Sequence, residues 1–492
     1  MTVSRWLVKP NTYRDSVELM RIAAQLEQAP GVTTAALLMA TPANLELLQK
    51  SGLLDASLGE ARPNDLITAI RADDDGAAAA AITSAEALLS GGATTARAHG
   101  TAATAPPTTI ADAVRESPAA NLAIISTPGP YAAAEAMKAL KRGLHVFLFS
   151  DNVPAIEEIE LKQLARARDL LVMGPDCGTA ILDRIPLGFA NVVRPGPIGL
   201  VGASGTGLQE VSCLIDRLGS GVSQIIGVGG HDLSDEVGGL MMLSAIERLG
   251  RDPDTAVVVL VSKPPSRRVT SIVRAAARAT GQPTVEMLLG APPLTDDSIV
   301  SAASLEEAAV GAVALATGRE PPALGHASAT RPAPVKGRIL GLFSGGTLCS
   351  EAEVLLARHV PSVPRELIDL GADEYTVGRP HPMIDPRLRS DLIARAAADP
   401  DVGVILLDVV LGHGSHPDPA GALVGAIATA QERSAANARS LRFVASVCGT
   451  EADPQLLSRQ EATLANAGVL LAPSNARAAR LAGVLASGEG TP

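Results

Sequence analysis

Pro197-Ile198-Gly199-Leu200-Val201-Gly202-Ala203-Ser204-Gly205-Thr206-Gly207 is the stretch that decides the fold. In it a short apolar run leads into a glycine turn, and a helix-like segment, Leu208 to Leu218, follows. The order recurs in the second half of the chain, where Phe343-Ser344-Gly345-Gly346-Thr347 separates the apolar run Arg338 to Phe343 from Leu348 to Arg358. Each stretch predicts a strand, a tight turn and a helix N-terminus, as in parallel α/β folds.

A glycine turn at a helix N-terminus suits an anion. Successive backbone N–H groups point outward there, the helix macrodipole adds partial positive charge, and Ser and Thr hydroxyls donate as well. Two such turns suggest duplicated ligand-binding domains whose helix ends converge on one anion. The alternative is that both are ordinary strand-to-helix connections that bind nothing. The first interpretation predicts a phosphate or acyl phosphate site formed by Ser204, Gly205, Thr206, Gly207, Ser344, Gly345, Gly346 and Thr347.

Length and composition limit the class of protein. A chain of 492 residues is too long for one hydrophobic core. Its net charge of −11 argues against a general nucleic-acid binder, which must neutralise phosphates. Residues Met1 to Lys9 lack the apolar region of a signal peptide, and the chain has no apolar run of the ~18 residues that a membrane span needs, so we expect a cytoplasmic protein. The four cysteines show no CxxC spacing and predict neither a disulfide framework nor a zinc site: Cys177, Cys213, Cys349 and Cys448.

Short apolar runs alternate with helix-period segments along most of the chain, which is typical of parallel sheets with helices on both faces. The Ala-, Pro- and Gly-rich segment 314–334 is the clearest linker, and weaker boundaries lie at 183–197 and 94–109. The predicted strands are Val32–Met39, Leu122–Ser126, His145–Phe149, Leu170–Met173, Ile198–Val201, Val222–Val228, Ala256–Val261, Thr284–Met287, Arg338–Phe343, Arg365–Asp369, Val402–Val409, Arg442–Val447 and Val469–Ala472.

Several motifs resemble the succinyl-CoA synthetases. Gly174-Pro175-Asp176-Cys177-Gly178 stands where the α subunit of that family carries Gly-Pro-Asn-Cys, and Ala203-Ser204-Gly205-Thr206 matches its phosphate turn. Gly227-Val228-Gly229-Gly230-His231-Asp232 resembles its next glycine-rich loop, and residues 337–485 resemble the C-terminal ligase domain of the β subunit. The order of the whole chain, with Gly378-Arg379-Pro380-His381-Pro382-Met383-Ile384-Asp385-Pro386, resembles the FdrA-type proteins, which fuse both ligase domains in one chain.

The resemblance implies an α/β fold with a Rossmann-like domain, two flavodoxin-like ligase domains with parallel sheets, and an N-terminal α/β unit. The N-terminal unit is expected at residues 1–115 and the Rossmann-like, CoA-binding-like domain at 116–194. The α-type ligase domain is expected at 195–318, a linker at 319–336, and the β-type ligase domain at 337–487.

This chain departs from the synthetases at the residues that carry phosphate. In that family the two helix N-termini stabilise a phosphohistidine, but the corresponding loop here, Met287-Leu288-Leu289-Gly290-Ala291-Pro292-Pro293, contains no His. Where the family has a Glu that partners the histidine, this chain continues Ser262-Lys263-Pro264-Pro265-Ser266-Arg267-Arg268. Cations suit a phosphate that arrives on the substrate and leaves with negative charge, so Lys263 is predicted to be catalytic. The alternative is that Lys263, Arg267 and Arg268 begin a solvated helix.

The resemblance to FdrA-type proteins implies transfer of a carbamoyl group between carbamoyl phosphate and the amide of oxamate, in purine or allantoin nitrogen catabolism. It implies an oligomer with partner protein subunits, and neither nucleic acid nor membrane is expected as a partner. No cofactor is predicted, because the N-terminal unit, Trp6 to Gly92, shows no GxGxxG turn after a strand and no ATP-grasp domain is left to assign. Two alternatives remain open: an acyl-CoA ligase that has lost the phosphohistidine, and a non-catalytic scaffold subunit.

Polar residues on loops complete the predicted site. Arg379 and His381 are assigned to acceptor binding or carbonyl polarisation, and His231 with Asp232 to proton transfer, because the pKa of His suits proton transfer near neutrality. The alternative for each His is an ordinary solvated loop.

Three further residues are assigned to substrate binding from their place in the motifs: Gly229, Gly230 and Cys177. A buried Cys is usually a packing residue, which is the alternative for Cys177. Two His three residues apart on the glycine loop Leu411 to Asp418 are a weak metal signal, so no metal is predicted.

Overall fold

The computed structural model of the protein describes residues 2–14, 16–41, 44–45, 48–49, 52–53, 61–91, 107–294, 296, 298–324, 333–376 and 380–487. It divides into two units. One comprises Met1–Glu116 with Thr376–Pro380, and the other comprises Ser117–Tyr375 with His381–Pro492.

The first unit is built on an antiparallel sheet of order β1-β3-β2. Apolar residues of its helices, among them Leu19 and Leu89, pack with Leu66 and Ile70 of the sheet into one core. The N-terminal α/β unit that the sequence predicts is therefore present. Its elements are β1 (Val3–Lys9), α1 (Ser16–Leu26), β2 (Val32–Met39), β3 (Leu66–Ala72) and α2 (Asp75–Gly91), followed by α3 (Ile110–Glu116).

The second unit begins with a three-stranded parallel sheet of order β4-β5-β6, the Rossmann-like part of the chain. The central strand β5 is apolar and mostly buried, as expected for a parallel strand covered on both faces. Its elements are β4 (Leu122–Ile125), α4 (Gly129–Lys141), β5 (His145–Leu148), α5 (Ala155–Ala167) and β6 (Val172–Met173).

The next sheet has seven strands in the order β13-β12-β11-β9-β10-β7-β8. Five of them, β10-β9-β11-β12-β13, are parallel and follow the flavodoxin-like order 2-1-3-4-5. An antiparallel hairpin, β7 with β8, is added beside β10, so the expected boundary after residue 194 falls between two strands of one sheet. The strands are β7 (Thr179–Leu182), β8 (Ile185–Gly188), β9 (Pro195–Ala203), β10 (Val222–Gly227), β11 (Val257–Ser262), β12 (Thr284–Leu288) and β13 (Ile299–Ser301); the helices are α6 (Gly205–Arg217), α7 (Leu240–Arg251), α8 (Arg267–Thr280) and α9 (Leu305–Thr317).

The last sheet repeats that order as β15-β14-β16-β17-β18, entirely parallel. Two flavodoxin-like sheets therefore follow one another, as the sequence predicts. The strands are β14 (Arg338–Phe343), β15 (Arg365–Asp369), β16 (Val402–Val410), β17 (Arg442–Cys448) and β18 (Leu470–Ala472); the helices are α10 (Gly346–His359), α11 (Asp373–Thr376), α12 (Arg387–Ala396), α13 (Gly421–Ala436), α14 (Leu457–Asn466) and α15 (Asn475–Ser487).

Two buried carboxylates join the flavodoxin-like halves reciprocally. Glu210 of α6 accepts the N–H of Asn475 at 3.0 Å, at the start of the last helix of the other half. Glu351 of α10 accepts the N–H of Leu305 at 2.6 Å, at the start of the last helix of the first half. Each helix that follows a glycine turn thus caps the final helix of the opposite sheet, where unpaired N–H groups favour negative charge.

Apolar residues from both flavodoxin-like sheets also share one core, which includes Leu208, Val211, Leu348, Leu355 and Ala479. The two halves are therefore packed together around the helices that carry the glycine turns. Among the described residues, no helix is both long enough and apolar enough to cross a membrane.

Candidate functional site

The first glycine turn begins helix α6. Ser204 has extended backbone angles and caps the helix, because its side chain accepts the N–H of Gly207 at 3.0 Å. The first N–H groups of a helix have no acceptor within the helix itself. The N–H groups of Gly205 and Thr206, both half-buried, therefore lie at the N-terminus of α6, where the helix dipole favours an anion.

The second glycine turn already holds an anion, the carboxylate of Asp408. Its Oδ1 accepts from the N–H and the hydroxyl of Ser344 at 2.8 and 3.0 Å, and its Oδ2 accepts the N–H of Gly345 at 2.7 Å. Asp408 is fully buried and also bonds the guanidinium of Arg389, at 3.0 Å from Oδ1. The prediction that Ser344 and Gly345 bind substrate phosphate needs correction, since a carboxylate of the protein occupies their donors.

The two helix N-termini touch each other. The hydroxyl oxygens of Ser204 and Thr347 are 2.6 Å apart, so the structure brings the two predicted turns together at the starts of α6 and α10. Glycine is required on both sides of this contact. A Cβ atom on Gly207 would overlap the Ser204 hydroxyl, and one on Gly345 would lie 2.9 Å from Cγ2 of Thr206. These glycines therefore serve the close approach of two helix ends, in addition to any ligand.

Lys263 crosses from the first sheet to the second glycine turn. It follows directly after β11, the strand beside β9, and its side chain reaches Gly346 at the start of α10. A Cβ atom on Gly346 would lie 2.8 Å from Nζ of Lys263 and would overlap Oδ2 of Asp369. The ammonium and carboxylate groups therefore flank the first residue of α10, and Lys263 is exposed while Gly346 is half-buried.

His381 lies at the same end of the second sheet. A Cβ atom on Gly371 would lie 2.8 Å from its Nε2, 2.9 Å from the carbonyl oxygen of Ser344 and 3.2 Å from Oδ1 of Asp369. The ring Nδ1 accepts the N–H of Met383 at 3.3 Å, so Nε2 carries the proton of the neutral imidazole. Burial lowers the pKa of His381 to about 4. His381 is therefore a neutral hydrogen-bond donor at physiological pH.

The groups on the accessible side of this contact are Gly205, Thr206, Gly346 and Lys263, none of which is fully buried. They combine first-turn N–H groups of two helices with one ammonium charge, and the Asp369 carboxylate lies beside Gly346 as well. Backbone donors, two helix dipoles and a cation form a candidate site for a small anion such as phosphate. We call these four residues the junction site.

The structure gives Asp232 a structural role rather than the predicted one in proton transfer. The side chain is fully buried, Oδ1 accepts from Nζ of Lys162 at 2.8 Å, and the two oxygens accept the N–H groups of Met241 and Met242 at 3.1 and 2.9 Å. Its neighbour His231 is 79% exposed, with Nδ1 3.9 Å from Oε2 of Glu158. Asp232 thus holds the start of α7, while His231 remains accessible.

The glycines before His231 support the loop that carries it. Gly229 has a φ of +86°, and a Cβ atom there would overlap the carbonyl oxygen of Pro175. Gly230 is exposed, and a Cβ atom there would lie 3.7 Å from Oδ2 of Asp176. The backbone conformation and the close packing at Gly229 therefore explain why glycine is needed at that position.

Cys177 and Arg379 do not join the junction site. Cys177 is buried, and burial raises the pKa of its thiol to about 12, so it is protonated at neutral pH and packs against Gly227. This corrects its assignment to substrate binding. Arg379 lies outside the described residues.

No metal site is found within the ranges that the structure describes, where no group of three or more His, Cys, Asp or Glu side chains is placed to hold an ion. In the glycine loop after β16, Nδ1 of His416 accepts the N–H of Asp418 at 3.0 Å, which is a turn contact.

Four charged residues near the predicted site are not predicted from the sequence: Asp408 and Arg389, both buried behind the second glycine turn, the half-buried Asp369 beside Gly346, and the buried Glu158 beside His231. Asp408 left a signal, because it is the one charged residue in the otherwise apolar and fully buried strand Val402–Val410. A charge in such a strand is expected only where partners satisfy it.

Family models match three parts of the chain. The AllF heavy metal-associated domain matches residues 1–106, the CoA binding domain 193–288, and the CoA-ligase 342–485. The last two matches contain the first and second glycine turns respectively. The chain therefore carries ligase-type domains of the succinyl-CoA synthetase superfamily.

The chain is similar to one protein over nearly its whole length and to ligase subunits over about a third of its length. YahF of Escherichia coli (strain K12), described as uncharacterized, is 40% identical over 97% of this chain and 97% of its own length. The succinate–CoA ligase [ADP-forming] subunit alpha 2 of Archaeoglobus fulgidus is 28% identical over 31% of this chain and 53% of that protein. A mitochondrial subunit alpha-2 of the same enzyme from Trichomonas vaginalis is 30% identical over 29% of this chain and 47% of that protein. The chain thus spans about half the length of these ligase subunits.

Among solved structures, a dinucleotide-forming acetyl-coenzyme A synthetase 1 of Ca. Korarchaeum cryptofilum is 15% identical, with a TM-score of 0.33 over 74% of this chain and 82% of that one.

Proposed function

This chain belongs to the same family as YahF, and we propose that it is a subunit of a carbamoyltransferase. It would move a carbamoyl group between carbamoyl phosphate and a small amide acceptor such as oxamate, in purine or allantoin nitrogen catabolism. We further propose that it acts in an oligomer with partner protein subunits.

The observation that carries this proposal is the 2.6 Å contact between the Ser204 and Thr347 hydroxyls. It sets two helix N-termini side by side, and their partial positive charges add at one point. Carbamoyl phosphate is a small mixed anhydride whose phosphate would bind at the junction site. As the bond between the carbamoyl carbon and the phosphate oxygen breaks, negative charge grows on the departing phosphate, and donors already in place stabilise it.

The position of Lys263 supports the proposal that the phosphate enters the site as part of the substrate. Its ammonium group lies beside Gly346, where it would offset the charge of the leaving phosphate without any covalent carrier. His381, a neutral donor in the second half, would polarise the carbonyl of the carbamoyl group or of the acceptor. Arg379 is proposed to bind the acceptor carboxylate, for which a guanidinium offers two parallel donors. His231 is proposed to accept the proton of the acceptor nitrogen.

A second candidate, an acyl-CoA ligase that works without a phosphohistidine, is favoured by the two family matches. The CoA binding domain covers 193–288 and the CoA-ligase covers 342–485. In this reading the junction site holds the phosphate of an acyl phosphate, and CoA attacks the acyl group.

Release of inorganic phosphate from carbamoyl phosphate distinguishes these functions. The chain with its co-purifying partners would be assayed with and without oxamate, and again with CoA added. Oxamate-dependent release without CoA supports the carbamoyltransferase. Release only with CoA supports the ligase, and no release points to a non-catalytic subunit.

Ser204→Ala is the decisive variant, because Ser204 caps α6 and contacts Thr347. Ser304→Ala is its matched control: Ser304 is also a buried N-cap, accepting the N–H of Glu307 at 3.1 Å, but it caps α9. Loss of turnover in the first variant but not in the second is the expected result.

A further inference from the structure

The carboxylate of Glu158 on α5 is satisfied on one side only. Its Oε1 accepts from Nζ of Lys162 at 2.6 Å. Its Oε2 is buried and has no hydrogen-bond partner within the described residues. A buried polar oxygen without a hydrogen-bond partner is costly in a protein interior, so a donor is expected near this atom.

Lys162 fixes Glu158 relative to the glycine-rich loop after β10. The lysine side chain is fully buried, and Nζ also donates to the carbonyl oxygen of Val228 and to Oδ1 of Asp232, each at 2.8 Å. Its three donors are therefore all used. Since Val228 and Asp232 bracket residues 229–231, the lysine clamps both ends of that segment to α5.

His231 lies between these clamped ends and faces the open oxygen. Its Nδ1 is 3.9 Å from Oε2 of Glu158, and its side chain is 79% exposed. The distance exceeds that of a hydrogen bond, so the ring must move toward the carboxylate for the bond to form. In enzymes without bound substrate, catalytic hydrogen-bond distances are often longer than they are in the substrate complex.

We propose that Glu158 is a positioning residue for His231, accepting the Nδ1 proton on Oε2 and leaving the lone pair of Nε2 directed outward. The charged groups that surround the pair fit this arrangement. Lys162 donates to Oε1 of Glu158, and Asp232 accepts from Lys162 and from the first N–H groups of α7. Asp176 lies beside Gly230. A carboxylate that fixes one imidazole nitrogen makes the other a directed base.

The location of His231 connects this pair with the proposed function, on which the inference rests. Val228 donates its N–H to the carbonyl oxygen of Gly202 at 2.9 Å, so the His231 loop and the Ser204 turn leave neighbouring strands at the same sheet edge. Nε2 would take the proton of the acceptor amide nitrogen as that nitrogen bonds the carbamoyl carbon. The bond from that carbon to the phosphate oxygen then breaks, phosphate leaves with the electron pair, and the imidazolium returns its proton to phosphate.

The tautomer of His231 tests the pairing without any substrate. In the chain labelled with ¹⁵N-histidine, which contains 8 His residues, we expect the neutral ring of His231 to carry its proton on Nδ1. The ring nitrogen shifts of the assigned His231 report this directly. A proton on Nε2 in the unmodified protein overturns the inference.

Glu158→Gln inverts the expected tautomer. Lys162 needs an acceptor, so the amide oxygen turns toward it and the NH₂ group faces His231. Nδ1 must then accept, the proton moves to Nε2, and the directed lone pair is lost. Glu160→Gln, an exposed change on the same helix, is the control and should leave the tautomer as it is.

Turnover gives the second measurement. Loss of a general base lowers rates by about 10²- to 10⁴-fold, so Glu158→Gln should reduce kcat to that extent while KM for carbamoyl phosphate stays near its original value. A rise in KM with kcat unchanged contradicts the positioning role. If no variant turns over carbamoyl phosphate, the proposed function fails, while the tautomer still decides whether the pairing exists.

Discussion

Ser204 and Thr347 share a hydrogen bond of 2.6 Å between hydroxyl oxygens, although 143 residues separate them in sequence. The bond links the first turns of two helices that belong to different sheets. It requires small residues around it, and Gly207 and Gly345 provide them. Removing either hydroxyl therefore breaks a hydrogen bond between the two halves and alters the N-terminus of the helix that carried it.

Thr347→Val keeps the shape of the side chain and removes the bond. Thr347 is 1% exposed, and Ser204 would keep its cap on Gly207. We expect a loss of about 1 kcal/mol in the free energy of unfolding, the usual contribution of one hydrogen bond, measured by urea denaturation. Thr463→Val, on α14, removes an exposed hydrogen bond from the hydroxyl to the carbonyl oxygen of Arg459 and should lower the free energy of unfolding by less than half of that. Equal effects of the two substitutions would contradict a special role for the contact.

Gly346→Ala should disrupt the junction site. The added Cβ atom would overlap Asp369 and approach Nζ of Lys263, displacing the cation. Gly425→Ala in α13 is the matched control, because nothing lies within 4 Å of the position of its Cβ atom. The control should stabilise the protein by roughly 0.5–1 kcal/mol, as alanine does in a helix interior, and leave phosphate release unchanged. Normal turnover of the Gly346 variant would count against the site.

Lys263→Met should weaken the binding of inorganic phosphate, measured by calorimetry at low and at physiological salt. The lost attraction is larger at low salt, because the exposed ammonium group is screened by ions. Lys141→Met removes the same charge from the exposed end of α4 and serves as the control. If the two substitutions weaken binding equally, net charge rather than position explains the affinity.

Glu351 makes stability depend on pH. Burial raises its pKa from the usual 4.5 to about 7, so the folded protein keeps a proton that the unfolded chain loses above pH 4.5. Its contribution to stability is complete below pH 4.5 and is lost as the pH rises to about 7. One pKa unit corresponds to 1.36 kcal/mol, so stability should fall by about 2 kcal/mol between pH 5.5 and pH 8.

Glu351→Gln should abolish that part of the pH dependence. Glu353→Gln, on the same helix as Glu351, removes a surface ion pair with Arg365 of β15 and should retain the pH dependence. Urea midpoints at the two pH values give the comparison. A Glu351 variant with the slope of the original protein would refute the assignment.

Asp408→Asn should be strongly destabilising, because it leaves the buried guanidinium of Arg389 without an ionic partner. Breaking a buried pair on one side typically costs about 3–5 kcal/mol. The double variant Asp408→Asn with Arg389→Met removes the stranded charge and should be more stable than Asp408→Asn alone. Thermal unfolding of the single and double variants measures the coupling, and strictly additive effects would mean that the two residues do not act as a pair.

Several strands could be delimited from the sequence because each is a short apolar run between polar or turn residues. Val32–Met39 of the antiparallel sheet, the buried parallel strand Arg338–Phe343 and the less buried strand Arg365–Asp369 have the predicted bounds. The hairpin of Thr179–Leu182 with Ile185–Gly188 could not be recognised, since its strands are short and β8 is mostly exposed. Its antiparallel addition to the seven-stranded sheet is set by tertiary contacts.

The residues of the candidate site also include some that could be predicted from the sequence and some that could not. Ser204, Thr347 and Lys263 follow strands in recognisable motifs, and the resemblance to the synthetases implies that the two glycine turns meet. The charge of Asp408 in a buried apolar strand indicates that it has partners, but the sequence does not show that these are Ser344 and Gly345, 64 and 63 residues away in the chain. Glu158 belongs to a helix of another sheet, and only folding brings it to His231.

The reciprocal caps of Glu210 on Asn475 and Glu351 on Leu305 bear on how the chain could be divided. Each half alone would keep a carboxylate meant for a helix that it does not contain. Two fragments separated within the linker should therefore be unstable apart and reassemble when mixed. In thermodynamic terms, we expect the two halves to behave like the subunits of an obligate heterodimer that are joined in one polypeptide.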